Sequence, residues 1–300
     1  MDIKKRNKTL VTVVIPVFNG ASYLEEAVFS VQQSTYKNFE ILLIDDNSTD
    51  HSKKLCRALQ RKYTNVRFYA LSKNIGLGRV LNYALKKARG EYIARLNQDD
   101  YMLPKRLSKQ VAFLKKNVAV VAVGSHIEYF GDRNTVLEFL ETDSEIKDSW
   151  FFVSPFADPS VMYRKETALN VGGYSQAYWP ADDTQLWYRM GMVGELANVQ
   201  LPLTRVRWHK KAASIRFFKK LTVKLYKTHR WAHTHVGPAP LVAQGFWVLQ
   251  LVSGLLFSPQ FNWSVYIGIK RIMNGLVLMK EKAYARLSPK KVPQVSLATQ

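Results

Sequence analysis

Eight consecutive residues near the start, Leu10 to Val17 (LVTVVIPV), limit the possible folds of this chain more than any other stretch. They are apolar or β-branched almost throughout, without the alternation that would leave one face to water. That is the pattern of a strand covered on both sides in a parallel sheet. A turn at Phe18-Asn19-Gly20 follows, then a helical pattern from about Tyr23 to Ser34, with Ser22 the expected N-cap and Glu25 and Glu26 in the first turn. Phe39 to Ile44 (FEILLI) is a second buried strand. Strand, helix and strand in that order predict a doubly wound α/β sheet, whose ligands bind beyond the carboxyl ends of its strands. Asn19 and Asp46 stand at those ends.

The pattern continues with a helix near 51–62, a strand from Val66 to Leu71, and the glycine turn Asn74-Ile-Gly-Leu-Gly78, which opens a helix through Ala88 closed by Gly90. The turn lets backbone approach a phosphate, but no Lys-Ser/Thr follows to make a P-loop. Tyr92 and Ile93 begin another strand, and Asp99 and Asp100 arrive where its apolar pattern stops, before Pro104 and a predicted helix over 101–116. Two readings of these acids stand side by side: oxygen ligands for a hard divalent cation, or N-caps of the helix. Val118 to Gly124 reads as a buried strand extended by an edge-like segment through Phe130, and Asp143 to Phe152 as a helix. The turn-rich 155–174 region reads as the second, mixed half of the same sheet.

Asp182 and Asp183 open an apolar-periodic helix, where capping accounts for one of them but not for both beside glycine- and aromatic-rich loops. Alternation along the extended segment Leu203 to His209 puts Arg205, Arg207 and His209 on one face, a set suited to a metal-bound diphosphate.

Order and spacing of the elements TVVIPVFNG, DDNSTD, NIGLG, GEYIARLNQDD, LPKRLSKQ, PSVMYR with GGY, ADDTQLW and RVRWH resemble family 2 glycosyltransferases of the GT-A fold, from about Thr12 to Ser214. The resemblance implies an inverting transfer of one sugar from a nucleotide-diphosphate sugar, UDP-linked by preference, to a hydroxyl of a glycan or lipid-linked acceptor. It implies that Pro16 and Phe18 wall the base pocket and that Asp46 binds the base. Asn19, Gly76, Arg95, Asn97 and Arg207 complete the donor site, with Arg207 and His209 matching the late basic element that closes on the diphosphate. Asp99, the last acid of the DXD element, would hold Mg²⁺ or Mn²⁺ with His209, and Asp183 stands where the catalytic base stands. Asp182, Trp179 and Gly173 fall on the acceptor side. Three positions depart from the pattern: Asn97 where a first aspartate is common, Asp182 where glutamate is common, and Asp158 where histidine is frequent, its role left open.

A net charge of +21 is distributed unevenly, since residues 211–300 hold 14 Lys+Arg against 1 Asp+Glu. Such a field attracts polyanions. No nucleic-acid-binding motif accompanies it and long apolar segments interrupt it, so a membrane surface is the expected partner rather than DNA or RNA. A polyanion-binding protein without catalysis is the alternative from a different class, and a nucleotidyltransferase lacks its lysine-bearing loop. Residues 216–230 read as a basic amphipathic helix with Phe217, Leu221, Leu225 and Thr228 on its apolar face. Leu241 to Phe257 is apolar but covers only about 26 Å as a helix, which suggests a shallow hairpin or in-plane pair with the second apolar piece to about Met279, the alternative being helices packed on the catalytic domain or on a second subunit. Basic flanks and a lone cysteine, Cys56, predict a reducing compartment and a cytoplasmic enzyme, peripheral or shallowly embedded at the inner face of the cell membrane. The basic start leading into Leu10 reads as the approach to a strand rather than a secretory signal. The expected division is a catalytic domain over 1–214, with a nucleotide-sugar half to about 104 and an acceptor half from 105, a helical extension over 215–283, and a disordered tail over 284–300.

Overall fold

A computed structural model of the chain describes residues 9–132, 134–209 and 212–287. In chain order the elements begin β1 (Val11–Val17), α1 (Leu24–Gln32), β2 (Phe39–Asp45), α2 (Ser52–Lys62), β3 (Val66–Ala70), α3 (Leu77–Lys87) and β4 (Tyr92–Arg95). The middle of the chain forms β5 (Tyr101–Met102), α4 (Arg106–Lys116), β6 (Val120–Gly131), β7 (Thr135–Leu137), α5 (Asp143–Ser149), β8 (Met162–Arg164), α6 (Lys165–Asn170), α7 (Asp182–Gly191) and β9 (Glu195–Trp208). Four helices follow: α8 (Ala213–Arg216), α9 (Phe218–His235), α10 (Leu241–Leu256) and α11 (Pro259–Leu287).

The described strands form one mixed sheet in the order β3-β2-β1-β4-β8-β6-β9-β5, with β7 on β6. The first four are mutually parallel, as their unbroken apolar runs require, whereas β8 inserts antiparallel between β4 and β6. Strand periodicity sorts β1 between two cores. Val11, Val13, Ile15 and Val17 pack with α1, α2 and α4 on one side, and Val14 packs with α3, α6 and α7 on the other. Burying Ile15, Leu24 or Trp187 fully is worth about 1.5–3 kcal/mol each, so both layers are held firmly against the sheet.

Five local expectations change. Helix α4 begins at Arg106 with Lys105 as N-cap, because Tyr101 and Met102 pair with Arg205 and Thr204 of β9 as a short strand. Asp99 and Asp100 therefore cap no helix. The segment through Phe130 is no edge: β6 runs to Gly131 with β9 along one side and β7 pairing Ile127 to Tyr129 on the other. Tyr23, not Ser22, precedes α1, and no side chain caps it. Gly90 lies beyond the helix end at Ala88, and its missing side chain lets Thr12 of β1 approach, since a Cβ there would sit 2.4 Å from the Thr12 amide nitrogen. Helix α11 continues through Leu287, past the expected start of a disordered tail, whose remainder lies outside the described residues.

Candidate active site

Three strand ends meet at one edge. The Asp45-Asp46 pair ends β2, Val17-Phe18 ends β1, and Asn97 to Asp100 follow β4. Asn19 and Asn47 both take positive φ, +50° and +60°, a conformation that asparagine tolerates better than most residues. Their loops interlock: the Asn19 amide donates to Ser48 Oγ (3.0 Å), and Asn19 Oδ1 accepts from the Thr49 amide (2.8 Å). Asp50 and Ser52 take the amides of Ala21 and Gly20. Turn chemistry thus uses most of DDNSTD, but Asp46 is different. Its two carboxylate oxygens accept from the amides of Ile75 (2.7 Å) and Gly76 (2.9 Å), which ties the glycine turn to the sheet edge.

Phe18 is exposed, and its backbone is clamped at both ends by one amide side chain: Gln98 Oε1 accepts from the Phe18 amide (2.9 Å) and Gln98 Nε2 donates to its carbonyl (3.0 Å). A Cβ on Gly20 would lie 2.1 Å from Gln98, so that close approach needs glycine there. Pro16 sits just before this clamp, half-buried at the end of β1.

The two acids after β4 part company. Asp100 is buried and structural: Oδ1 accepts from the Arg207 amide (3.0 Å) and Oδ2 from Asn97 Nδ2 (2.9 Å). Burial first and the Asp99 charge second push its pKa well above the ordinary carboxylate range. Asp99 instead faces His209, with Oδ2 and Nε2 2.9 Å apart, while the Arg207 Nε donates to the Asp99 carbonyl (3.1 Å). The Arg207 guanidinium lies over Tyr23 and Phe130, 4.9 and 4.4 Å from the ring centroids, and donates to Glu26. Arg205 also stands over Phe130, paired with Glu128 at 3.4 Å.

Asn97 is occupied at both ends, its Oδ1 accepting from Arg95 (3.1 Å). Arg95 has no exposed surface. It donates to Asp158 Oδ2 (2.8 Å), and although burial alone would lower its pKa, the Asp158 charge holds it above the ordinary value. This gives Asp158 a role that sequence left open: counter-charge to a buried guanidinium. Arg106, equally buried, donates to the carbonyls of Arg95 (2.8 Å), Pro159 (2.8 Å) and Val161 (3.1 Å). Burial, then the neighbouring Arg95 charge, lowers it to about 9.

On the far side of Asp158 stand the acids at the start of α7. Burial, then the charges of Asp158 and Asp182, push Asp183 up to about 8, and its Oδ1 accepts from the Thr184 amide (2.7 Å). Asp182 is buried and raised to about 7, chiefly by burial. Its Oδ2 and the Gln176 Oε1 have no hydrogen-bond partner among the described residues. Both lie against the glycine turn, because a Cβ on Gly78 would meet them at 2.7 and 3.1 Å, and one on Gly76 would lie 2.9 Å from Gln176. Contiguous contacts thus run from Asp46 through Gly76, Gln176 and Asp182, and again from Asp158 through Arg95, Asn97, Asp100 and Arg207 to Asp99 and His209.

Trp179 stacks edge-on with Phe217 (4.9 Å between centroids) beneath Lys220 (4.1 Å). Gly173 stands apart: at φ +66° its bare Cα faces Asn82 of α3, where a Cβ would collide with Oδ1 at 2.4 Å, and its carbonyl accepts from Arg189. That geometry makes it a packing glycine. Gln176 had no signal in the sequence, and Gln98, Arg106 and Glu26 stood in motifs or a first turn without an assigned role, since amides and surface-type charges acquire one only from what lies across the fold.

The donor set suits Mg²⁺ or Mn²⁺. Such ions take one or two protein ligands and complete their shell with phosphate oxygens and water. Asp99 offers a carboxylate and His209 an imidazole side by side, and His209 Nδ1 is buried without a partner among the described residues. No group of three or more such ligands occurs among the described residues, so the diphosphate itself would have to supply the rest.

Residues 12–172 match the family profile described as Glycosyl transferase family 2. A glycosyltransferase of Rickettsia conorii, itself uncharacterised, is 29% identical over 215 residues, covering 69% of this chain but only 35% of that protein, so the chain spans about a third of that relative's length. Among solved structures, residues 1–349 of S. aureus TarS bound to UDP-GlcNAc are 16% identical with a TM-score of 0.59, over 93% of this chain and 92% of that one. The mannosyltransferase PcManGT of Pyrobaculum calidifontis, bound to GDP-Man and Mn²⁺, is 17% identical with a TM-score of 0.60, over 95% of this chain and 82% of that one.

Proposed function

The chain belongs to glycosyl transferase family 2, with a GT-A fold, and from that premise we propose an inverting, metal-dependent transfer of one sugar from a nucleotide-diphosphate sugar to a hydroxyl of a glycan or lipid-linked acceptor in cell-surface polysaccharide synthesis. The observation that carries the reading is the pairing of Asp99 with His209 beside Arg207, joined through Arg95 and Asp158 to the raised carboxyl of Asp183.

Asp183 takes the proton of the attacking hydroxyl, and its pKa near 8 makes it basic enough to do so. Arg207 and His209 face the departing nucleoside diphosphate and offset the charge that develops on it. Mg²⁺ or Mn²⁺ held by Asp99 and His209 would supply Lewis-acid neutralisation of that same charge. Gln98, by clamping Phe18, fixes the wall against which a base can stack. Asp46, already bonded to Ile75 and Gly76, serves the base by holding the glycine turn in place and keeps its remaining lone pairs for a ring N–H. The structural neighbours bind UDP-GlcNAc and GDP-Man, so both nucleotide classes belong in the test.

The 300-residue chain should be titrated by calorimetry with UDP- and GDP-sugars, with Mn²⁺ or with EDTA. One of these donors is expected to bind saturably only when Mn²⁺ is present. Failure of every nucleoside-diphosphate sugar to bind with the metal present would overturn the reading.

A further inference from the structure

Helix α9, basic and amphipathic by sequence, keeps its uncharged side inside the fold. Thr222 meets Gly254 of α10, His229 stacks on Trp247 (5.2 Å), and Ala232 packs on Trp150 and Tyr188. Of the face expected to meet a membrane, Thr228 is buried and Phe217, Leu221 and Leu225 are half-buried. The outward apolar surface lies instead on α10 and α11. On α10, Ala243, Trp247 and Gly254 point inward, while Leu241, Leu249 and Leu256 point to solvent. On α11, Ile267, Lys270 and Val277 are buried, while Ile272 and Met279 are outside. Those five outward residues are between 64% and 84% exposed. Of the 22 large apolar residues exposed among the described residues, 14 fall between Leu241 and Met279, a concentration that scattered surface hydrophobics do not produce.

The inner sides of both helices are well anchored, so the stripe is not a helix turned the wrong way. Trp247 donates to the Phe151 carbonyl (2.6 Å), Ile267 joins Ile127, Leu137 and Phe139, and Lys270 donates to the Ser154 carbonyl (3.1 Å) over the Phe139 ring. Beside the joint of the two helices lies a cavity of about 430 Å³ lined by Arg216, Lys219, Lys220, Phe217, Phe257 and Pro259. Residues 211–280 hold 10 Lys+Arg and no Asp or Glu.

We propose that the outward face of α10 and α11, with the basic cavity at their joint, docks on the surface of an anionic phospholipid bilayer. Charge decides the occupant. Two copies of the cluster Arg216, Lys219 and Lys220, which no carboxylate pairs among the described residues, repel each other, and a nucleic acid would satisfy the cations but leave the apolar stripe wet. A bilayer with anionic headgroups satisfies both: acyl chains receive the stripe, and lipid phosphates reach Arg216, Lys219 and Lys220. No helix among the described residues is long and apolar enough to cross, so α10 and α11 lie in the interface. Phe217 and Lys220 also hold Trp179, four residues before Asp183, so docking brings that loop to the lipid surface. Only this last consequence rests on the catalytic reading.

The 300-residue chain is floated with phosphatidylcholine vesicles, with and without phosphatidylglycerol. It should float with the anionic vesicles, less so at high salt, and stay behind with phosphatidylcholine alone. Leu249→Asp with Leu256→Asp should abolish flotation while leaving the thermal midpoint unchanged, and Arg216→Gln with Lys219→Gln should weaken vesicle affinity about fivefold for each charge removed. The proposal is overturned if the wild type floats with neither vesicle or if the paired Asp variant floats as well as wild type. It is equally overturned if sedimentation finds a dimer that this variant dissociates, or if a nucleic-acid probe binds where vesicles do not. Donor binding measured on the same variants separates loss of docking from loss of the catalytic reading.

Discussion

Asp99 and Asp100 are neighbours in the chain with opposite tasks. Asp100 is closed in by Asn97 and the Arg207 amide and holds the loop, which leaves Asp99 turned toward His209. Asp182 and Asp183 divide similarly, and their charges oppose each other. Removing the Asp182 charge makes Asp183 easier to ionise, so its pKa falls. The acid limb of kcat/KM, expected near pH 8 from the raised Asp183, should therefore move to lower pH in Asp182→Asn. A limb that stays in place, or a flat profile between about pH 6 and 9, would take the base role away from Asp183. The same shift bears on stability. Both carboxyls keep protons in the folded chain that the unfolded chain releases, so this contribution is full below the ordinary value of 3.8 and is lost as pH rises through about 7 for Asp182 and about 8 for Asp183.

At the scale of elements, β4 is four residues long and could not hold its exit loop unaided. Arg106 reaches back from α4 and donates to three carbonyls around the β4 exit. Arg106→Met would leave the Arg95 and Pro159 carbonyls unsatisfied, at about 1–3 kcal/mol each, while Val161 keeps the Arg95 amide (2.9 Å), and should lower the thermal midpoint by on the order of 10 °C. A drop of under about 2 °C in a melting curve would show that water replaces the guanidinium without penalty. Elements of this kind mark the boundary of what sequence can convey. The runs LVTVVIPV and FEILLI announce buried parallel strands because the covering of both faces is written into their composition. Nothing near Tyr101 tells that two residues will pair with β9, and nothing in Arg95 tells that it will be enclosed with Asp158, because both depend on segments 63 or more residues away. The helix expected over 101–116 loses its first turn for that reason.

At the scale of the molecule, the sheet gathers at one edge the loops that sequence marks as separate acidic and basic motifs, and α8 and α9 brace the loop carrying Trp179. The ordering of those motifs is legible, since each follows a strand or opens a helix. The partners of Asp46 and Asp99 are not, because which amides and which imidazole face a carboxylate is decided only when the strands are in register. In the proposed mechanism metal and diphosphate binding fall to Asp99 and His209 and proton removal to Asp183, so the two ends of this site should separate functionally. Calorimetry of the donor nucleotide-sugar with Mn²⁺ on Asp99→Ala and Asp183→Asn is the most direct test. Asp183→Asn is expected to bind the donor as tightly as wild type while turnover falls about 10²–10⁴-fold, and Asp99→Ala to lose Mn²⁺-dependent binding. Undiminished metal-dependent binding by Asp99→Ala, or near-native turnover by Asp183→Asn, would contradict it.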